Sequence, residues 1–187
     1  MKSKDTIFGD LQITEDRALK DAYRYQLYRD LGGRLPDMFD HRERIYHPSV
    51  NFLMLNPSTA DAHKLDPTLR RCVGFARRWG CKDFYVTNLF AYRTSDPKEL
   101  WAVAANGLDI VGPENDTYIR EIVSEASLTI VAWGGVYKSL SWRVEQVVEI
   151  IKPHREKIRS LGFTKGGQPR HPLYIQKHAP LQLLADL

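Results

Sequence analysis

Asn56, Asn88 and His171 are the side chains whose type and placement point to chemistry. Asn56 follows the apolar run Phe52-Leu53-Met54-Leu55, and Pro57 then offers no backbone donor to continue a ladder. Asn88 closes the β-prone run Phe84-Tyr85-Val86-Thr87. An asparagine amide donates and accepts at once, which suits reading the edge of an amide-bearing ring such as a nucleobase. His171 can give a hydrogen bond to an oxygen that becomes negative during a reaction. Phe90, Tyr92 and Trp133 offer aromatic faces for stacking. Pro57 and Ser58 beside Asn56, and Gly134 beside Trp133, are expected to contact substrate with them. Each residue also has a structural reading: an Asx turn at Asn56, a strand-end amide at Asn88, a core Trp133 and a rigid His171-Pro172 turn.

Other groups extend the list. Asp61 is a candidate catalytic carboxylate, although Asp61 and Asp66 also read as helix-start acids. Gly112-Pro113-Glu114-Asn115-Asp116 reads as a helix entrance in which Asn115 and Asp116 are candidate ligand or supporting groups. Thr164-Lys165-Gly166-Gly167-Gln168 has the look of a phosphate cradle, without the full Gly-x-x-x-x-Gly-Lys-Ser/Thr spacing. Lys165 and Arg170 are candidate phosphate contacts. The six histidines form no tight ligand pair on one helical face, so no metal and no cofactor is expected. A Gly-x-Ser-x-Gly elbow and a dinucleotide fingerprint are both absent.

These residues need a scaffold that gathers them. Val50–Leu55, Phe84–Leu89 and Leu128–Trp133 read as strands, with Ile158–Phe163 and Leu173–Ile175 as shorter ones. Asp66 followed by Pro67 reads as an N-cap and first helical residue, with Leu69, Cys72, Val73 and Ala76 at helical spacing and Gly80 as the stop. Further helices are predicted over 97–105, from Pro113 to about Ala126, and from about Leu140 to Pro153. Residues 14–31 read as a helix turning into a strand near Ala22, and Gly32-Gly33 and Pro36–Pro48 as loop. Strands alternating with helices predict an α/β fold with three α/β/α layers and a mainly parallel central sheet. In such a sheet the carboxyl ends of the strands gather polar loops on one rim, where ligands bind. The 187 residues fit one domain, with an arm to about residue 20 at its periphery.

Composition bounds the partners. Hydrophobic residues at 43% and charged residues at 27% are ordinary for a soluble globular chain. No apolar run nears the roughly 20 residues that span a bilayer, and the amino terminus lacks a signal-peptide core. A cytoplasmic protein without membrane association is therefore expected. Cys72 and Cys81 form no Cys-x-x-Cys pair and are expected to be reduced, one on a helix and one in a loop. The net charge is +4, but the segment from Lys152 to His178 holds seven basic residues against one acid, Glu156. Such a stretch suits phosphate contacts, and equally a solvated surface.

The chain resembles the DUF1643 family. Asn56-Pro57-Ser58-Thr59-Ala60-Asp61, Asp66-Pro67-Thr68, Thr87-Asn88-Leu89-Phe90-Ala91-Tyr92-Arg93, Gly112-Pro113-Glu114-Asn115-Asp116, Ala132-Trp133-Gly134 and His171-Pro172-Leu173-Tyr174 carry the likeness, in order, over about residues 20–177. More distantly, the same motif order is similar to the cluster-free branches of the uracil-DNA glycosylase superfamily. That resemblance implies a glycosylase-like fold, a nucleic acid or nucleotide partner and three roles. Asn56 would position the attacking water, Asn88 would bind the base, and His171 would stabilise the departing base. Leu173 and Arg170 would contact or wedge a duplex around a flipped base. Ser58 stands where the mismatch-specific branch has glycine, and Leu173 where the superfamily's His-Pro-Ser motif has serine. The expected activity is cleavage or exchange of an N-glycosidic bond in nucleic acid or a nucleotide. The alternatives are a non-catalytic nucleic-acid or modified-base binding module and an enzyme acting on a small phosphorylated metabolite.

Overall fold

The stretch around Phe52 is apolar on both faces, and the fold is built outwards from it. A computed structural model describes residues 7–8, 22–31, 49–58 and 66–184. Its strands are β1 (Ile7–Phe8), β2 (Leu27–Asp30), β3 (Ser49–Met54), β4 (Asp83–Asn88), β5 (Leu128–Val131), β6 (Ile158–Ser160) and β7 (Gln182–Leu183). The helices are α1 (Pro67–Arg78), α2 (Pro97–Ala105), α3 (Asn115–Glu125) and α4 (Ser141–Ile151). One mixed sheet runs β1-β2-β4-β3-β5-β6-β7. The arm to residue 20, apart from Ile7–Phe8, lies outside the described residues, as do the helix expected before Ala22 and the loop expected over Pro36–Pro48.

The two faces of β3 bury into different cores. Val50, Phe52 and Met54 join Phe84 and Val86 of β4, Leu128 and Ile130 of β5, and Cys72, Val73, Phe75 and Ala76 of α1. Leu53 points the other way, with Val131, Leu89, Leu100 of α2, Ile119 and Val123 of α3, and Val147 and Ile151 of α4. Period-two side-chain alternation along a doubly covered strand produces this division. Asn51 and Thr87, both fully buried, satisfy each other through bonds of 3.0 and 3.1 Å. Cys72 and Cys81 are free and buried. Among the described residues no helix is long and apolar enough to cross a membrane.

The expected mainly parallel sheet needs correction. β4, β3, β5 and β6 are parallel neighbours, but β1, β2 and β7 pair antiparallel at the two edges. Helical crossovers link β3 to β4 and β5 to β6 and impose the same direction on each pair. β2 and β7 lie outside that succession of crossovers. A second correction concerns Leu173–Ile175, read as a strand: Pro172–Tyr174 is a 3-10 turn. Pro172 lacks an N–H for a ladder, and the Leu173 N–H turns back to the His171 ring.

The Asp66-Pro67 signal is realised, since Asp66 Oδ1 accepts from Leu69 N at 2.7 Å at the start of α1. Helix α3 begins at Asn115, two residues after Pro113. Gly112 makes that entrance possible. Its φ is +87°, and a Cβ there would stand 2.9 Å from Tyr25 Cε1 and 3.2 Å from Ala91 Cβ. Tyr25 in turn stacks on Tyr118 of α3, with ring centroids 5.1 Å apart. Gly112→Ala is therefore expected to destabilise the fold by about 2 kcal/mol or more, from backbone strain and overpacking together. Denaturant unfolding measures this, and a change within about 0.5 kcal/mol of zero would contradict the packing described.

Candidate functional site

Because β3 and β4 pair in register, Met54 lies opposite Asn88, and Leu53 lies opposite Val131 of β5. The three strands therefore deliver Asn56, Asn88 and Trp133 to one edge. From β3 the chain crosses through α1 towards β4, and from β5 through α4 towards β6. The loops diverge and leave a crevice between them, as open α/β sheets do at such a switch point. A cavity of about 410 Å³ opens there. Asn56, Ser58, Asp66, Asn88, Trp133 and His171 are among its lining residues. Pro57 and Gly134 line it as well.

Asn56 uses one end of its amide for structure. Its Nδ2 donates to Thr94 O at 2.7 Å and to Pro57 O at 3.3 Å, while Thr94 N donates back to Pro57 O. Both partners of Nδ2 are carbonyl oxygens, which fixes the amide orientation and leaves Oδ1 as an acceptor. Asn88 is 2% exposed, and its Oδ1 is buried without a hydrogen-bond partner. A buried acceptor left unpaired costs about 1–3 kcal/mol, so this oxygen is a place for a ligand donor.

His171 is half-buried. Its Nδ1 accepts from Leu173 N at 3.4 Å, which puts the proton of the neutral ring on Nε2. Burial lowers its pKa, and the nearby Asp66 carboxylate partly offsets that. A neutral imidazole that donates through Nε2 is the result. Asp66 itself is held at both oxygens, by Leu69 N and by Ser58 Oγ at 3.2 Å. Trp133 Nε1 donates to Gln168 Oε1 at 2.8 Å, and Gly134 N to Pro169 O at 2.9 Å. Gly134, at φ +74°, brings the loop against His171, whose Cβ would stand 3.3 Å from an added methyl.

Several expected site residues sit elsewhere. Phe90 is fully buried, edge-on to Trp142 at 6.3 Å, and is core rather than a stacking face. Asn115 is buried behind the strand end, and Asp116 pairs with Arg143; neither lines the cavity. Lys165 and Arg170 are exposed and Leu173 is half-buried, all three outside the lining. The Thr164–Gln168 loop closes on itself, because Thr164 N, Gly167 N and Gln168 N bond within it, so it is no open phosphate cradle. Asp61 lies outside the described residues. Among the described residues no group of three or more His, Cys, Asp or Glu could hold a metal ion.

The cavity also recruits Arg24, Thr68, Thr94 and Tyr174, which the sequence reading passed over as binding residues. Tyr174 carried a usable signal, being an aromatic three residues after a candidate histidine. It is 73% exposed, with its ring centroid 5.9 Å from that of His171. Arg24 carried none, since it reaches the rim through an antiparallel edge that no local pattern announces.

Fold and cavity together define a mixed α/β protein with a cleft at the carboxyl ends of its central parallel strands, lined by both polar and apolar side chains. The chain belongs to the family described as "Protein of unknown function (DUF1643)", whose model matches residues 24–173. No curated protein and no solved structure matches the chain.

The electrostatics at His171 can be measured directly. An NMR titration should place its pKa below the ordinary 6.5, and Asp66→Asn, which keeps an N-cap side chain, should lower it further. The unfolded chain then takes up the proton first as the pH falls below 6.5. The stability His171 contributes as a neutral ring is present above that pH and is lost as the pH falls towards the folded value. A pKa at or above 6.5, or one unmoved by Asp66→Asn, would contradict this description.

Proposed function

We propose that this protein is a nucleobase-recognising enzyme that cleaves an N-glycosidic bond in nucleic acid or a nucleotide. The observation that carries the reading is the unpartnered, buried Oδ1 of Asn88 in the cavity that His171 also lines. An acceptor of this kind matches a ring N–H or an exocyclic amine. In this reaction the bond between the sugar carbon and the base nitrogen breaks, and its electron pair leaves with the base. Asn56 Oδ1 orients the water that attacks the sugar carbon, and the water's proton passes to solvent. His171 Nε2–H donates to the base as negative charge grows on it. A preorganised donor of this type supplies about 3–4 kcal/mol of barrier reduction in enzymes that use one. The four parallel central strands and the order of motifs support a glycosylase-like fold.

A second reading, a non-catalytic nucleic-acid or modified-base binding module, draws on Tyr174, exposed at the cavity, and on the exposed cations Lys165 and Arg170 outside its lining. The experiment that separates the two is base release from duplexes and single strands carrying uracil, mismatched or oxidised bases. Wild type is expected to leave abasic product. Asn56→Ala and His171→Ala are each expected to reduce turnover by about 100-fold or more while thermal unfolding shows both variants folded. Turnover that survives both substitutions overturns the mechanism. Salt-sensitive binding without product would favour the binding module.

A further inference from the structure

We propose that Asn115 and Arg143 are positioning residues that act through Asn88, gripping the end of β4 so that the Asn88 side chain keeps one orientation in the cavity. The inference rests on reading Asn88 as the ligand-contacting side chain. Asn115 Nδ2 donates to two successive carbonyls, Asn88 O at 3.1 Å and Leu89 O at 3.0 Å. Arg143 Nε donates to the same Leu89 O at 2.7 Å, and its Nη2 stands 2.6 Å from Asp116 Oδ1. On the other side of the chain, Leu89 N donates to Met54 O at 2.8 Å and Phe90 N to Leu55 O at 3.0 Å. The peptide groups that follow Asn88 are thus held through their N–H groups by the β3 side and through their carbonyls by α3 and α4.

Stability alone is a weak reason for this arrangement. Arg143 is 1% exposed and Asn115 is fully buried. Burying a guanidinium is costly, and its partner Asp116 stays half-exposed, so the ion pair itself adds little stability. What a guanidinium and an amide add is direction, since they fix the planes of two peptide groups. The backbone they fix carries a buried side chain whose own oxygen has no partner within the protein. A loosely held Asn88 would turn that oxygen towards other donors, and the clamp prevents it. The Asn115-Asp116 pair in the helix entrance therefore serves the site from behind, without touching the cavity.

The test reads Asn88 in the ligand-free protein, so failure of the clamp is separable from failure of base recognition. In 15N-labelled protein the Asn88 side-chain amide pair is assigned by its loss in Asn88→Ala. Asn115→Ala is expected to shift and broaden that pair, whereas Val123→Ala, a core truncation on the same helix, leaves it in place. Asp116→Asn, at a half-exposed carboxylate, loosens Arg143 without opening a cavity and is expected to shift the pair as Asn115→Ala does. An Asn88 pair unmoved by both Asn115→Ala and Asp116→Asn overturns the proposal, as does one moved equally by Val123→Ala.

Discussion

The pairing of β3 on both edges is the constraint from which the rest follows. A strand bonded on both sides and covered on both faces has no place for an unpaired polar group, so Asn51 is matched by Thr87 and the next polar side chain comes where the pairing ends. Because β4, β3 and β5 are parallel, their pairing ends on the same side. Parallel neighbours also require crossovers, and α1 and α2 begin close to that edge, with Thr68, Leu69 and Pro97 in the cavity wall. The loops that meet there are stitched to one another by Asn56 Nδ2 to Thr94 O and by Thr94 N to Pro57 O. The rim is held together by these hydrogen bonds between loops.

Buried polar groups divide into two kinds around this edge. Asn51 and Thr87 bond each other, and Asn115 Nδ2 and Arg143 Nε donate to backbone carbonyls inside the protein. Asn88 differs, since it lines the cavity and its side-chain oxygen is buried without a partner. Asn115 Oδ1 and Thr129 Oγ1 are also buried without partners, but they lie outside the cavity wall. The contrast matters because each such group costs about 1–3 kcal/mol. Only at Asn88 can a ligand entering this cavity recover that energy.

The parts legible in the sequence were those governed by local chemistry. Asp66-Pro67 announced the start of α1 because a carboxylate cap and a proline act within one turn. The runs ending at Asn56 and Asn88 announced two strand ends that border the cavity, because an apolar stretch that stops at an amide needs only the chain itself to be read. Direction and depth were not legible. Nothing local distinguishes β2 running antiparallel from β2 running parallel, and nothing local separates Phe90, which turns into the core, from Trp133, two strands away, which reaches the cavity. The Asn115-Asp116 motif was visible as a helix entrance. Its connection to Asn88 was not, because the contact spans 27 positions and runs through backbone carbonyls.

Charge sharpens the distinction between the cavity and its surroundings. The described lining carries one arginine, Arg24, and one aspartate, Asp66, beside a histidine whose burial favours the neutral ring. The basic run at the carboxyl end lies outside that lining. Part of the run serves local structure, since Lys157 Nζ donates to Ser124 O at 2.6 Å and Arg159 Nη1 to Glu156 O and Ile158 O. Among the described residues, Arg155, Lys165, Arg170 and Lys177 are the exposed members of the run without such a bond. An interior of balanced charge suits a neutral ring with hydrogen-bonding edges, and exposed cations suit an anionic backbone that stays outside. On the proposed reading the ligand presents a neutral ring to this lining, whereas a small dianion held wholly inside the cavity would share it with the Asp66 carboxylate.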